Sequence, residues 1–320
     1  MKNIAIIGAG ITGLSLAYNL SGNNITIFDK SWRPGGRVST RKNDQMFFDH
    51  GAHYLSKDHE VKQLRDLLDQ LNIVNEKIIN FSTNYIKKEF IKKKILIGKN
   101  GMNSIPRKIF ENLKIRSHFN SKIIDIEKNN EKYSLITEYE KYNNFDLILV
   151  CIPFLQAQEL TNKFIDFNTE HEPKYEPIYT VMLSYEGRND INIDGGLNLH
   201  NDVSFFMNQN FKFPDLKDEC WVLNMSSDFS SNNLDIDNKI LEEKVISIFE
   251  DSFNISQKPK FQNTHRWLYA QTKITYNSLS KKNWLGSKDS KIFLSGDWVT
   301  GRSLSDAWNA GLQLSHYLKI

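Results

Sequence analysis

The feature that most constrains this chain is a glycine-rich turn near its N-terminus, with glycines at positions 8, 10 and 13. The turn follows the apolar run Ile4–Ile7, which is typical of a strand buried on both faces of a parallel sheet. It also opens a segment whose apolar residues recur at helical spacing. In such a strand–turn–helix unit, the glycines permit a tight turn, a close backbone approach to a pyrophosphate and close helix–strand packing. The pattern predicts a nucleotide-binding βαβ unit within an α/β fold.

An acidic residue and a second glycine pair follow at informative positions. Asp29 ends the second predicted strand, residues 25–28, where its carboxylate can accept hydrogen bonds from both hydroxyls of an adenosine ribose. Gly35 and Gly36 expose backbone N–H groups, and Arg37 offers a planar fork for phosphate oxygens. A simple nicotinamide-binding fold has no need of this second motif. Taken alone, the motif would be an ordinary turn with a surface arginine.

A third motif occupies residues 49–54. Its small residues between polar ones suit a backbone that passes flat against a ring system. Asp49, His50 and His53 raise the alternative of a metal site, but no further ligand cluster accompanies them, so no metal is expected.

The last motif is near the C-terminus. Gly296 and Asp297 follow the final predicted strand, residues 291–295, and precede a predicted helix over residues 304–318. Asp297 can bond a ribityl chain, and the positive end of the helix can face the N1/C2=O edge of a flavin. A plain strand-to-helix turn is the alternative.

These motifs together resemble the flavin amine oxidase superfamily and, within it, the renalase-like branch. The resemblance spans nearly the whole chain and rests on residues 8–13, 35–37, 49–52, 101–102, 265–270 and 296–298. It implies a Rossmann-like FAD-binding domain with a parallel sheet, and an interleaved α+β substrate domain built on a mixed or antiparallel sheet. The expected division is 1–57, 100–160 and 264–320 for the first domain, and 58–99 and 161–263 for the second.

The resemblance also implies which residues hold the cofactor. His53 stands where bacterial relatives often carry glutamine. No cysteine lies near the C-terminal motif, so FAD is expected to be bound without a covalent link. The expected cofactor contacts are Gly8, Gly10, Ile11, Thr12, Gly13, Asp29, Lys30, Gly36, Arg37, Gly51, Ala52, His53, Tyr54, Ile123, Gly296, Asp297 and Leu304.

The expected reaction is hydride transfer from a small reduced substrate to flavin N5, with O2 as the acceptor. The renalase-like branch favours a dihydronicotinamide isomer, and the wider superfamily favours an amine. A flavin-binding redox sensor without turnover and a desaturase or porphyrinogen oxidase remain alternatives. The substrate-side candidates are Arg266, Trp267, Tyr269, Tyr179 and Trp221. A structural ion pair is the alternative for Arg266, and core packing is the alternative for Trp267 and Tyr269.

Bulk composition narrows the partners. The 41 basic and 38 acidic residues are nearly balanced, so nucleic acid is not an expected partner. No apolar stretch approaches the roughly 20 residues that span a bilayer, so no membrane is expected. The two cysteines form no disulfide framework, which favours a cytoplasmic location. Six lysines lie between Lys87 and Lys99, either as a solvated strand face or as an attraction for a phosphate-bearing substrate. The oligomeric state is not predicted.

Overall fold

The structure is a computed structural model that describes residues 1–56, 61–189 and 191–319. Within these residues the strands are β1 Asn3–Ile7, β2 Asn24–Phe28, β3 Thr40–Asn43, β4 Met46–Asp49, β5 Leu55–Ser56, β6 Val74–Asn84, β7 Glu89–Gly98, β8 Arg116–His118, β9 Asp125–Asn129, β10 Lys132–Ile136, β11 Lys141–Phe145, β12 Leu147–Val150, β13 Lys174–Tyr185, β14 Gly195–Leu197, β15 Val203–Asn208, β16 Glu219–Met225, β17 Phe261–Ile274, β18 Leu285–Gly286 and β19 Ile292–Leu294. The α-helices described are α1 Ile11–Asn19, α2 Lys62–Gln70, α3 Ser104–Leu113, α4 Phe154–Thr161, α5 Ser227–Asn232, α6 Asn238–Phe253, α7 Tyr276–Ser280, α8 Asp297–Thr300 and α9 Leu304–Leu318. A 3-10 turn covers Thr169–His171.

A six-stranded sheet forms the first part of the core, in the order β18-β19-β12-β1-β2-β8. β1 pairs in parallel with β12 and β2, and parallel β19 and β8 extend the sheet on either side. The run Ile4–Ile7 lies at its centre and is buried, because helices α1 and α9 cover one face and the small sheet β11-β10-β9 covers the other. The predicted α/β fold with a parallel sheet is confirmed.

The second part of the core is an eight-stranded mixed sheet, in the order β17-β13-β16-β15-β14-β6-β7-β5. Only β14 and β6 pair in parallel among its described pairs. Because side chains alternate along a strand, each central strand has two faces. We call the side packed on α6 the helix face, formed by Tyr179, Val181, Leu183, Trp221, Leu223 and Met225. We call the opposite side, which contacts residues 48–53, the motif face, formed by Thr180, Met182, Cys220, Val222, Asn224, His265 and Trp267.

Several predicted elements differ in their bounds. Apolar residues at helical spacing predict a first helix over residues 11–22, which ends at Asn19. The same spacing predicts a helix over residues 58–72, which is observed as Lys62–Gln70, while positions 58–60 lie outside the described residues. The apolar segment Ile123–Ile126 predicts a strand, but the strand begins only at Asp125 and joins the small antiparallel sheet.

β17 is the main element that the periodicity of the sequence did not predict. It is long because it hydrogen-bonds to β13 along most of its length, from Lys174 opposite Ile274 to Ser184 opposite Phe261. The domain boundary proposed at residue 264 therefore falls inside a strand of the eight-stranded sheet. The helices of the described residues include none that is both long and apolar enough to cross a bilayer.

Candidate functional site

The glycine turn after β1 is shaped by two close backbone approaches. Gly8 has φ +106°, and a Cβ atom there would lie 2.6 Å from the carbonyl oxygen of Cys151. A Cβ on Gly13 would lie 2.0 Å from the carbonyl oxygen of Gly8. Both positions therefore exclude side chains. Gly10 differs, because a Cβ there would meet no described atom within 4 Å. The bare backbone of Gly10 thus borders open space.

The N-terminus of α1 opens beside the same space. Its N-cap residue, Gly10, provides no side-chain hydrogen bond, although residues 11–13 are buried. Gly36, with φ +55°, lies next to Gly10, and Gly35 N–H donates to the carbonyl of Ala9 at 2.9 Å. An uncapped helix N-terminus has free N–H groups and a positive partial charge, which suit an anion. The two glycine segments therefore fit the pyrophosphate of a dinucleotide.

Asp29 lies beside the open space next to Gly10 and Gly36, which we call the trough. Its carboxylate accepts hydrogen bonds from the backbone N–H groups of Ala9 and Ser31, each at 2.7 Å. The carbonyl of Asp29 accepts from Ser121 N–H at 2.8 Å, which brings the segment leading to Ile123 alongside. The Ile123 side chain is itself buried in the core. The expected ribose and adenine residues are thus neighbours, and Lys30 between Asp29 and Ser31 is exposed.

Arg37 joins three of the motifs. Its guanidinium donates to the carbonyls of Tyr269 at 2.9 Å and Ala270 at 3.1 Å, and to the Asp297 carboxylate at 2.5 Å. Burial opposes the charge, but the Asp297 carboxylate outweighs it and raises the pKa of Arg37. The carbonyl of Arg37 accepts from Ala52 N–H at 2.9 Å. One arginine therefore links the second motif, the 49–54 segment, β17 and the C-terminal motif.

The expected phosphate fork of Arg37 is thus engaged with protein groups. The same close packing explains Gly51, where a Cβ would lie 1.9 Å from the Arg37 carbonyl oxygen.

Asp49 and Lys212 form a buried ion pair that the sequence did not indicate. Their side chains are 0% and 1% exposed, and Lys212 Nζ lies 3.1 Å from Asp49 Oδ2. Asp49 Oδ1 accepts from Thr40 Oγ1 at 2.6 Å and from Met102 N–H at 2.9 Å. Lys212 also donates to the His53 carbonyl at 2.6 Å. Lysines are abundant in this chain, and nothing in the local pattern of Lys212 distinguishes it from the exposed ones.

His53 lies in a defined hydrogen-bond chain. The Asn224 amide donates to His53 Nε2 at 2.9 Å, because its Oδ1 accepts from Thr180 Oγ1 at 2.9 Å. The proton of the ring then sits on Nδ1 and is donated to the Asp49 carbonyl at 2.9 Å. The ring stacks on Phe205 with centroids 4.3 Å apart. Burial, followed by the Lys212 charge, lowers the pKa of His53 to about 3, so the imidazole is neutral.

A second group of rings lies where β17 meets the 49–54 segment. Trp267 Nε1 donates to the His50 carbonyl at 2.9 Å, and the His50 and Trp267 rings stack at 5.5 Å. The His265 ring lies 4.1 Å from that of Trp267. Burial, His265 and Arg41 lower the pKa of His50 to about 3, and burial and Arg41 lower the pKa of His265. The rings of His50, His265 and Trp267 form an aromatic surface, which we call the Trp267 wall, and both of its imidazoles are neutral.

The substrate-side candidates divide between the two sheet faces. Trp267 lies on the motif face, and the Tyr269 ring packs at 5.2 Å on Tyr175 beside Arg37. The other candidates point toward the opposite side. Tyr179 Oη donates to the Leu234 carbonyl at 2.6 Å, and the Arg266 guanidinium hydrogen-bonds the same carbonyl.

Trp221 is the third candidate on the helix face. It is fully buried, and its ring centroid lies 5.2 Å from that of Phe249 and 5.6 Å from that of Phe253. Successive side chains of a strand point to opposite faces of the sheet. Arg266 and Trp267 are neighbours on β17 and therefore lie on opposite faces.

The C-terminus returns to the glycine turn as expected. Thr12 Oγ1 donates to the Ala307 carbonyl at 2.8 Å, so this hydroxyl ties α1 to α9. α9 begins after a capping box formed by Ser303 and Asp306, and Leu304 is buried against the core. Gly296, extended at φ 177°, precedes Asp297, which Arg37 holds.

Tyr54 lies at the other end of the motif face and accepts from Lys93 Nζ at 3.0 Å. The Lys93 ammonium also lies over the Tyr54 and Phe81 rings, 4.9 and 4.5 Å from their centroids. One of the six clustered lysines therefore reaches the segment that was expected to contact the cofactor. Among the described residues, no three His, Cys, Asp or Glu side chains are grouped to hold a metal ion.

Two family models match the chain. One, described as an NAD(P)-binding Rossmann-like domain, matches residues 6–71. The other, described as flavin containing amine oxidoreductase, matches residues 81–316, which is well over half of the chain. The chain therefore belongs to the flavin containing amine oxidoreductase family.

Individual relatives share short aligned segments or the fold. The mitochondrial protoporphyrinogen oxidase of Nicotiana tabacum is 36% identical over 58 residues, 18% of this chain and 12% of the relative. An L-amino-acid oxidase of Daboia russelii is 52% identical over 44 residues, 13% of this chain and 9% of the relative. The chain thus aligns with only a small part of these relatives' lengths. Cyclohexylamine oxidase from Brevibacterium oxydans IH-35A shares the fold, with a TM-score of 0.77 at 11% identity over 100% of both chains.

Proposed function

We propose that this chain is a renalase-like oxidase that binds FAD without a covalent link. Its substrate is a small reduced molecule, a dihydronicotinamide isomer in preference to an amine, and O2 accepts the electrons. The observation that carries the proposal is that Arg37 joins three of the four sequence motifs, while Gly35 N–H ties the first glycine turn to the second motif, beside a trough lined by bare glycine backbone.

The trough supports FAD as the cofactor. Gly10 borders open space beside the uncapped N-terminus of α1, and Gly36 lies next to Gly10, which suits the pyrophosphate. We expect Asp29 to contact the ribose, and the 49–54 segment and Asp297 to lie along the ring system. Neither cysteine favours a covalent link, because burial raises the pKa of both the Cys151 and Cys220 thiols and keeps them protonated.

The side chains around the expected flavin position support a reaction that needs no strong general base. Bound FAD would supply two-electron chemistry, in which a hydride is accepted and O2 is then reduced to H2O2 with protons from solvent. His50 and His53 are neutral over the physiological range, and Lys212 neutralises the Asp49 carboxylate. An already electron-rich dihydronicotinamide needs only orientation and exclusion of water, which the Trp267 wall can provide.

The local charge favours an anionic substrate. Arg41 lies close enough to His50 and His265 to lower the pKa of both, and Lys93 lies at the Tyr54 end. Positive side chains at both ends of the motif face attract the phosphates of a dinucleotide and repel an ammonium group. This charge is the reason to prefer the dihydronicotinamide over the amine.

The test is the visible spectrum of the purified protein under anaerobic conditions, before and after addition of the 2- and 6-dihydro isomers of NAD(P)H. Flavin bands that bleach within seconds and return with air are expected. Bleaching by amines alone would favour the amine alternative, and bleaching by a porphyrinogen alone would favour the porphyrinogen oxidase alternative. Bands that no reductant bleaches quickly would favour the sensor. A colourless protein that takes up no FAD would contradict the proposal.

The charge argument has its own test. Arg41→Gln is expected to raise the KM for a dihydronicotinamide dinucleotide several-fold, because it removes a positive charge beside the His50 and His265 rings. The KM for an N-alkyl dihydronicotinamide without phosphates should stay unchanged. Arg107→Gln, on the exposed face of α3, is the matched control. Equal effects of Arg41→Gln on both substrates would remove the reason to prefer an anionic substrate.

A further inference from the structure

Lys212 is a lysine with almost no access to water. Burial lowers the pKa of its ammonium group, and the charge and hydrogen bond of the Asp49 carboxylate oppose that shift. The Lys212 side chain is 1% exposed, and lysine is among the residues that are least often buried completely. Removing an ammonium ion from water costs several kcal/mol, which an ion pair offsets only with good geometry and further hydrogen bonds. Lys212 has both, at 3.1 Å from Asp49 Oδ2 and 2.6 Å from the His53 carbonyl.

Those two contacts close a loop in the segment expected to lie along the cofactor. Asp49 is the last residue of β4, and His53 lies four residues later, so one ammonium holds both ends of the turn. Gly51 and Ala52 lie between them and pack on the Arg37 backbone. The position of this backbone therefore depends on a side chain from the loop after β15.

The same ammonium influences the charge of His53. Its ring is held by Asn224 and the Asp49 carbonyl, and it stacks on Phe205. The titratable and charged groups around it are Lys212, the Asp49 carboxylate, His50, Tyr54 and Lys93. Burial lowers the pKa of His53 most, and Lys212 is the largest charge that lowers it further. Without Lys212, the Asp49 carboxylate would favour a proton on this ring.

We propose that Lys212 is a positioning residue of the cofactor site, which clamps residues 49–53 and keeps the His53 imidazole uncharged beside the bound flavin. The inference rests on the proposed function, because it assigns the 49–53 segment to the cofactor. It adds a residue outside every motif of the sequence to the site.

The main experiment compares the wild type with Lys212→Met, by FAD titration and flavin spectra between pH 5 and 8. The variant should bind FAD about tenfold more weakly, on the scale of coupling energies between contacting residues. Its flavin spectrum should also show a pH transition in this pH range as His53 gains a proton, because the ammonium that lowers the pKa of His53 is gone and the Asp49 carboxylate is unpaired, although burial still lowers that pKa. The wild-type spectrum should show no such transition, and the double variant Lys212→Met/His53→Gln should lose it.

Two variants separate this role from a merely structural one. Lys217→Met, on the exposed part of the same loop, should match the wild type. If Lys212→Met leaves Asp49 unpaired and does not fold, Lys212→Met/Asp49→Asn removes both charges and should fold. That double variant should still bind FAD about tenfold more weakly, since the clamp is gone.

Wild-type FAD affinity in the charge-free double variant, or no spectral titration in a folded Lys212→Met protein, would overturn the inference. A wild type that takes up no FAD would instead contradict the proposed function. The inference then has a separate readout, urea unfolding of the apoprotein at pH 5 and pH 7. The wild type should lose more stability at pH 5 than Lys212→Met, whose His53 binds a proton in the folded state. Equal losses of stability in the wild type and Lys212→Met would contradict the inference.

Discussion

The two faces of the eight-stranded sheet are built from alternate residues of the same strands, yet they have different characters. The helix face is apolar, and Trp221 packs there with its Nε1 unpaired. The motif face carries hydrogen-bonded polar groups such as Thr180 and Asn224, and neutral imidazoles. One face gains stability from buried area, and the other fixes the position and charge of specific groups. A residue's place on the strand therefore decides what its substitution will disturb.

The largest expected effect is the loss of stability when a large side chain of the helix face is truncated. Trp221→Ala should lower the free energy of unfolding by about 3–5 kcal/mol, because it leaves a cavity between the sheet and α6. The flavin spectrum of the folded fraction should not change. Urea denaturation with the flavin absorbance as a second probe measures both. Trp32→Ala, at a side chain that is 67% exposed, is the control and should change stability little.

The next effect is the pH dependence of the free energy of unfolding that the motif face causes through His53. His53 has a folded-state pKa of about 3, whereas an unfolded chain binds the proton below about 6.5. Stability from the neutral ring is therefore complete above about pH 6.5 and is lost as the pH falls toward 3. Between pH 7 and pH 5 the loss is about 2 kcal/mol. His53→Gln should remove this loss in urea unfolding, whereas Trp221→Phe should retain it. The same loss in both variants would contradict the assignment.

A smaller effect separates the faces by kinetics. Trp267→Phe retains an aromatic wall but loses the Nε1 hydrogen bond to the His50 carbonyl. We expect the anaerobic flavin reduction rate to fall about tenfold, or about 1.4 kcal/mol in transition-state stabilisation, with about 1 kcal/mol lost in stability. Trp221→Phe is the matched change on the helix face and should leave the rate unchanged. A reversed pattern in stopped-flow measurements would show that the faces have been assigned wrongly.

The smallest effect is expected at Arg266, next to Trp267 in sequence. Its guanidinium lies on the exposed helix side and hydrogen-bonds the Leu234 carbonyl. Arg266→Met should change the free energy of unfolding by about 0.5 kcal/mol or less. The reduction rate and the substrate KM should equal those of the wild type. A large loss of rate would restore Arg266 as a candidate catalytic residue.

The sequence was most informative where the physical constraint is local. A glycine turn after a short buried strand depends on a few consecutive residues, so Gly8 and Gly13 were assigned backbone roles that the close approaches explain. Polar and apolar residues alternate in residues 179–186 and 220–226, which predicts antiparallel strands with one wet face, and the two segments do pair as antiparallel strands. It did not predict the full length of β17, because that strand is held mainly by hydrogen bonds to β13.

The functional side chains were harder to assign. Tyr179, Trp221 and Arg266 were selected by residue type, but their side depends on strand register, which pairing partners set. No sequence pattern distinguishes Asn224 and Gln209, since polar residues in strands and loops are common. Yet Asn224 fixes the tautomer of His53, and Gln209 accepts from Asp49 N–H at 3.0 Å.

By itself, the sequence determined the nucleotide-binding turn, the α/β class and the four motifs, because each depends on residues close together in the chain. Only the tertiary structure decided that Arg37 joins three of those motifs, that Lys212 pairs with Asp49, and which candidates reach the motif face. Arg37 and Asp297 are 260 positions apart, and Lys212 and Asp49 are 163 apart. Contacts over such separations follow from the packing of the two sheets, and no local pattern of residues encodes them.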